Sequence, residues 1–90
     1  MRYTVDGVVH RFHGAGGWHV VMVPRSQTDN LDRSGSWGYI PVTVTLEDTR
    51  WDTSLMPAGN GEYFIALNAK LRNRYGIVAD TEVVLTYRVR

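Results

Sequence analysis

Between Val42 and Glu47 the chain alternates strictly, with Val42, Val44 and Leu46 apolar and Thr43, Thr45 and Glu47 polar. Successive side chains on a β-strand point to opposite faces, so a period of two builds a strand with one buried and one wet face. Val83, Leu85, Tyr87 and Val89 again share one face, while Tyr63, Ile65 and Leu67 alternate with the apolar Phe64 and Ala66, which reads as a largely buried strand. Several strands of this kind cannot bury their apolar faces alone, which makes a mostly β protein the expectation.

The rest of the chain supports that class. Arg2 to Phe12 reads as a long strand bent or bulged at Gly7. After the turn Gly14-Ala15-Gly16-Gly17, Trp18 to Val23 is apolar on both faces over much of its length, as in a strand covered on both sides or one closing a barrel. The polar segment from Arg25 to Arg33 can start a short helical turn at Ser26, with Asp29 three residues on. Arg50 to Leu55 is expected to pair with the Val42 strand across a turn at Glu47-Asp48-Thr49. The connection Leu55-Met56-Pro57-Ala58-Gly59-Asn60-Gly61 then leads to the Tyr63 strand, with Gly59, Asn60 and Gly61 free to take positive φ.

One convincing helix begins after Asn68, a good N-cap. Leu67, Leu71 and Tyr75 form its apolar stripe, and Gly76 followed by Ile77 fits a Schellman stop. The two halves of the chain repeat an order of strand, glycine turn and strand, an outline that suits a pseudo-two-fold barrel but also arises from turn punctuation alone. The expected architecture is a small closed or nearly closed antiparallel β-barrel of about six to seven strands with one or two short helices, residues 1–90 forming a single domain.

Composition narrows the function classes. An apolar fraction of 43% with 21% charged residues is ordinary for a folded domain. The absence of cysteine removes disulfides, thiolate nucleophiles and thiolate metal sites. No apolar run approaches the roughly 20 residues that span a bilayer, and Asp6 arrives early for a signal peptide, so a cytoplasmic protein is expected. A net charge of +1 offers little counterion-release energy, and general nucleic-acid binding is not signalled.

The run Thr53-Ser54-Leu55-Met56-Pro57, followed by Gly59, Gly61-Glu62-Tyr63, Leu71-Arg72, Gly76-Ile77, Asp80 and Val83, resembles the bacterial family named domain of unknown function nineteen-oh-five. Gly17-Trp18 through Pro24 extends the resemblance over most of the chain. It implies a small closed β-barrel with one or two short helices. The family has no established activity, so it implies no catalytic residue. Where its pattern has Gly-Asp before the last strand, this chain has Ala79-Asp80, and a positive φ at the alanine would be strained.

Candidate sites follow from residue chemistry. His10 and His13, three apart on one strand, point to opposite faces; His13 and His19 flank a glycine turn, with no obvious third ligand for a metal. The acids Asp29, Asp32, Asp48, Asp52, Glu62 and Asp80 lie in or beside turns, where solvated carboxylates belong. Ser54 lacks the glycine setting of a nucleophile elbow. Trp18, Trp37 and Trp51 are mostly core candidates, and an exposed one beside Met56 and Pro57 would form a recognition rim.

The leading expectation is a non-enzymatic module that binds a small ligand or a protein through Trp51, Ser54, Met56 and Asn60. A small enzyme pairing Asp52 with a histidine in a barrel-end pocket is one alternative. Weak nucleic-acid binding by an anion patch of Lys70, Arg72, Arg74 and Arg88 is another. No catalytic residue, metal or cofactor is assigned; the state expected is a monomer or homodimer away from the membrane.

Overall fold

The computed structural model describes residues 2–12, 17–29, 31 and 38–90. The turn residues 13–16 and the expectations placed on His13, Asp32, Arg33 and Trp37 lie outside the described residues. In chain order the elements are β1 (Arg2–Val8), β2 (His10–Arg11), β3 (His19–Val23), α1 (Arg25–Thr28), β4 (Ile40–Leu46), β5 (Thr49–Gly59), β6 (Glu62–Ala66), α2 (Ala69–Tyr75) and β7 (Glu82–Val89). The strands form one antiparallel sheet in the order β1-β7-β4-β5-β6-β3-β2, open but strongly curled.

The two ends of that order are consecutive pieces of one segment. β1 pairs with β7 from Arg2 opposite Arg88 to Val8 opposite Glu82, while β2 pairs with β3. Val9 joins them, and the two edges of the curled sheet therefore meet at one fully buried residue. Its N–H donates to the Thr81 carbonyl at 2.9 Å, and its own carbonyl accepts from the Asp80 N–H at 2.8 Å. The break in the first strand thus falls at Val9 and not at Gly7. Gly7 has another reason to be small: a Cβ there would come within 3.2 Å of Cγ1 of Val21 on β3.

Side chains from alternate positions fill the interior. Val42, Val44 and Leu46 of β4, Leu85 and Tyr87 of β7, Leu55 of β5 and Ile65 of β6 are all buried in one cluster. β3 and β6 are covered on both faces, since Val20 and Phe64 are buried on the side away from that cluster. Phe12 and Trp18 meet Phe64 edge-on, with ring centroids 5.1 and 6.4 Å away. β3 begins at His19, leaving Trp18 before the strand and half exposed.

The helices follow local chemistry. α2 has the expected caps: Oδ1 of Asn68 accepts from the Leu71 N–H at 2.8 Å, Gly76 sits at φ 64°, and the Ile77 N–H reaches back to the Arg72 carbonyl at 2.9 Å. α1 starts one residue before Ser26, directly after Pro24, and has no side-chain N-cap bond. The connection after Leu55 is shorter than the sequence pattern indicated. β5 runs on through Pro57 to Gly59, and only Asn60 and Gly61 form the turn, at φ 56° and 77°. Pro57 is tolerated because the pairing is irregular there: Ala58 has no partner between Pro57 opposite Tyr63 and Gly59 opposite Glu62. The strain feared at Ala79 does not arise, because the positive φ, 72°, belongs to Asp80.

Candidate functional site

β5 is longer than its pairing with β6. From Thr49 to Leu55 it pairs with β4, and its pairing with β6 begins only at Met56 opposite Phe64. β6 in turn leaves β5 after Phe64, while Ile65 and Ala66 pair with β3. The two strands therefore splay, and the opening is a cleft of about 400 Å³. Trp51, Asp52, Thr53 and Met56 line it from β5, Ala66 and Leu67 from the end of β6, Asn68 and Arg72 from α2, and Gly17, Trp18 and His19 from the start of β3. Residues from both faces of β5 line it because the gap lies between strands and not on one sheet face.

Each polar group in the cleft has a structural reason for its position. The His19 carbonyl accepts from the Leu67 N–H at 2.9 Å, which ties β3 to the end of β6 and sets the imidazole at the cleft. Its Nδ1 is buried and has no hydrogen-bond partner among the described residues. Arg72 lies one turn along α2 from the Asn68 cap, and its Nε donates to the Leu67 carbonyl at 3.1 Å. That bond holds the guanidinium against the cleft wall. Trp18 supplies an indole that is 48% exposed, opposite the half-buried Trp51 and Met56. The combination of aromatic walls with a few fixed polar groups is the usual composition of a small-molecule site.

The expected site residues separate on folding. Trp51 and Met56 line the cleft; Ser54 and Asn60 do not. Ser54 sits opposite Pro41 on β4, and Asn60 is at the hairpin tip, where its carbonyl takes a hydrogen bond from Arg25. Asp52 lines the same cleft as His19, yet its carboxylate accepts from Oγ1 of Thr43 at 2.8 Å and lies 3.9 Å from the Arg90 guanidinium. His10 is exposed opposite Val20. Among the described residues, no three histidine and acidic side chains gather in a way that could hold a metal ion.

The expected anion patch is distributed over different surfaces. Arg72 belongs to the cleft, whereas Lys70 and Arg74 together border a neighbouring depression with Thr49, Trp51 and Leu71. Arg74 is 3.3 Å from Asp48, which also accepts from the Tyr75 hydroxyl. The Tyr75 hydrogen bond first, and the Arg74 charge second, hold the Asp48 carboxyl below its ordinary range. Arg88 lies on the outer face of β7, opposite Arg2. Sequence reasoning missed Thr53 and Asn68 as cleft residues and treated Asn68 only as a cap. No local signal marks them, because the cleft is created by where β5 and β6 part. No helix among the described residues is long and apolar enough to cross a membrane.

A family model described as domain of unknown function (DUF1905) matches residues 6–86. Among curated proteins, nothing matches the chain.

Proposed function

Since the chain belongs to the DUF1905 family, whose function is unknown, we propose a role from the cleft itself: a non-enzymatic module that binds a small, planar, anionic ligand between β5 and β6. The observation that carries this reading is the buried, unpartnered Nδ1 of His19 in a cleft of about 400 Å³. A buried polar atom without a partner costs on the order of 1 to 3 kcal/mol, which a ligand hydrogen bond would recover. Trp18 and Trp51 offer flat apolar faces for a ring, and Arg72 offers a charge already positioned by its bond to Leu67.

The test is a two-dimensional NMR titration with benzoate and indole-3-carboxylate, using benzamide as the uncharged control. Saturable shifts are expected at His19, Trp51, Met56, Asn68 and Arg72, weaker for benzamide. Arg72→Gln should reduce carboxylate affinity by roughly tenfold or more, as for a charge-assisted hydrogen bond of about 1.5 to 3 kcal/mol. Shifts confined to residues away from the cleft, or carboxylate affinity unchanged in the variant, would overturn the proposal.

A further inference from the structure

The outer face of β1, β7, β4 and β5 presents every second side chain to solvent. In one row across the strands, Arg2 stands opposite Arg88, Arg88 opposite Thr43, and Thr43 opposite Asp52. The adjacent row runs Thr4, Thr86, Thr45 and Arg50. These rows place the guanidinium groups of Arg2, Arg50 and Arg88 around the hydroxyls of Thr43, Thr45 and Thr86. Together they line a concavity of about 70 Å³ that shares no residue with the cleft.

The charges there are unbalanced. Like charges directly opposite on neighbouring strands repel, and Arg2 and Arg88 are such a pair. Among the described residues, no acid forms an ion pair with Arg2, Arg50 or Arg88. Asp52, the acid in these two rows, is turned to Thr43 and Arg90. The concavity, about 70 Å³, is far smaller than the cleft and suits a compact ligand. Guanidinium forks and hydroxyl donors match the oxygens of a compact oxyanion.

We infer that this face is a binding site for a single tetrahedral oxyanion, the phosphate group of a small phosphorylated molecule. A chain of phosphates fits poorly, because the next depression along the face brings Glu47 and Asp48 beside Arg2 and Arg50. A second phosphate in that direction would meet carboxylates. The site therefore selects an isolated phosphate over a nucleic-acid backbone.

The experiment is an NMR titration of the protein with inorganic phosphate at low ionic strength, with sodium chloride matched in ionic strength as the control. Glycerol 3-phosphate and thymidine oligonucleotides of increasing length form the other arms. Saturable shifts are expected at Thr43, Thr45, Thr86 and Arg88 with phosphate and glycerol 3-phosphate, and not with chloride. Arg88→Gln and Arg2→Gln should each weaken binding about tenfold, while Arg72→Gln in the cleft leaves it unchanged. Without phosphate, both outer-face variants should melt no lower than the parent, since each relieves a like-charge pair. The inference is overturned by shifts that do not saturate, by undiminished binding in both outer-face variants, or by oligonucleotide affinity that climbs with length.

Discussion

The Tyr87 ring is 1% exposed and stacks on Tyr3 with centroids 5.1 Å apart, and its hydroxyl donates to Oε1 of Gln27 at 2.9 Å. Gln27 completes the bridge by donating from Nε2 to the Thr4 carbonyl at 2.8 Å, so one side chain of α1 links β7 to β1. Burial, then the neighbouring Tyr3, pushes the Tyr87 phenol up from 10.0 to about 12. The unfolded chain loses this proton first as the pH rises. The associated stability is complete below pH 10 and is lost between about pH 10 and 12. Solvent screening at the hydroxyl holds the loss to about 1 to 2 kcal/mol, below the full 1.36 kcal/mol per unit. Urea unfolding across that range should show the decline, and Tyr87→Phe should remove this step while costing about 1 kcal/mol at neutral pH through the lost hydrogen bond. A variant retaining the whole alkaline decline would show that another group causes it.

α2 is the element most fully legible in the sequence, because its start and stop are set by residues within the helix or next to it. Asn68 and Gly76 act as isolated local signals would have them act. Asn68→Ala should cost about 1 kcal/mol in urea unfolding by removing the acceptor for the Leu71 N–H. Gly76→Ala should cost a similar amount, about 1 kcal/mol, for a purely conformational reason: a Cβ there meets nothing within 4 Å, but φ is 64°. Gly76→Asn, which tolerates that region, should cost less; equal losses for alanine and asparagine would point to a different cause. β4 was also legible, from its alternation. The far part of β5 was not, because Pro57 and the following glycine read locally as a turn, while pairing with β6 and the irregularity at Ala58 keep the strand going. The cleft was illegible for the same reason. Trp51 and Met56 were found as large apolar groups near the turn, but His19 and Arg72 meet them only because β5 and β6 diverge beyond the Met56–Phe64 pair.

At the scale of the molecule, the alternation and turn residues were enough to indicate a small antiparallel barrel, but not how its edges meet. That depends on Val9, whose backbone bonds reach residues at the far end of the sequence. Hydrogen exchange reports on this directly. The Val9 and Asp80 amides should exchange as slowly as those in the centre of β4, since their bonds tie the two edges of the curled sheet at a fully buried residue and break only when the sheet unfolds. Rapid exchange at both, with β4 still protected, would mean that the edges part independently of the core.

The same arrangement imposes an order on synthesis. β1 needs β7 across its whole length, and β7 is also the neighbour of β4 on the side away from β5. Until β7 has been made, β1 has no partner strand and one edge of β4 stays unpaired beside apolar Val42 and Val44. Closure therefore waits for the final strand and must bring together residues more than 80 positions apart, as in Arg2 opposite Arg88. Long-range pairings of this kind slow folding, so the chain spends its longest vulnerable interval before β7 docks, with an adhesive edge exposed to chaperones and to other copies of itself.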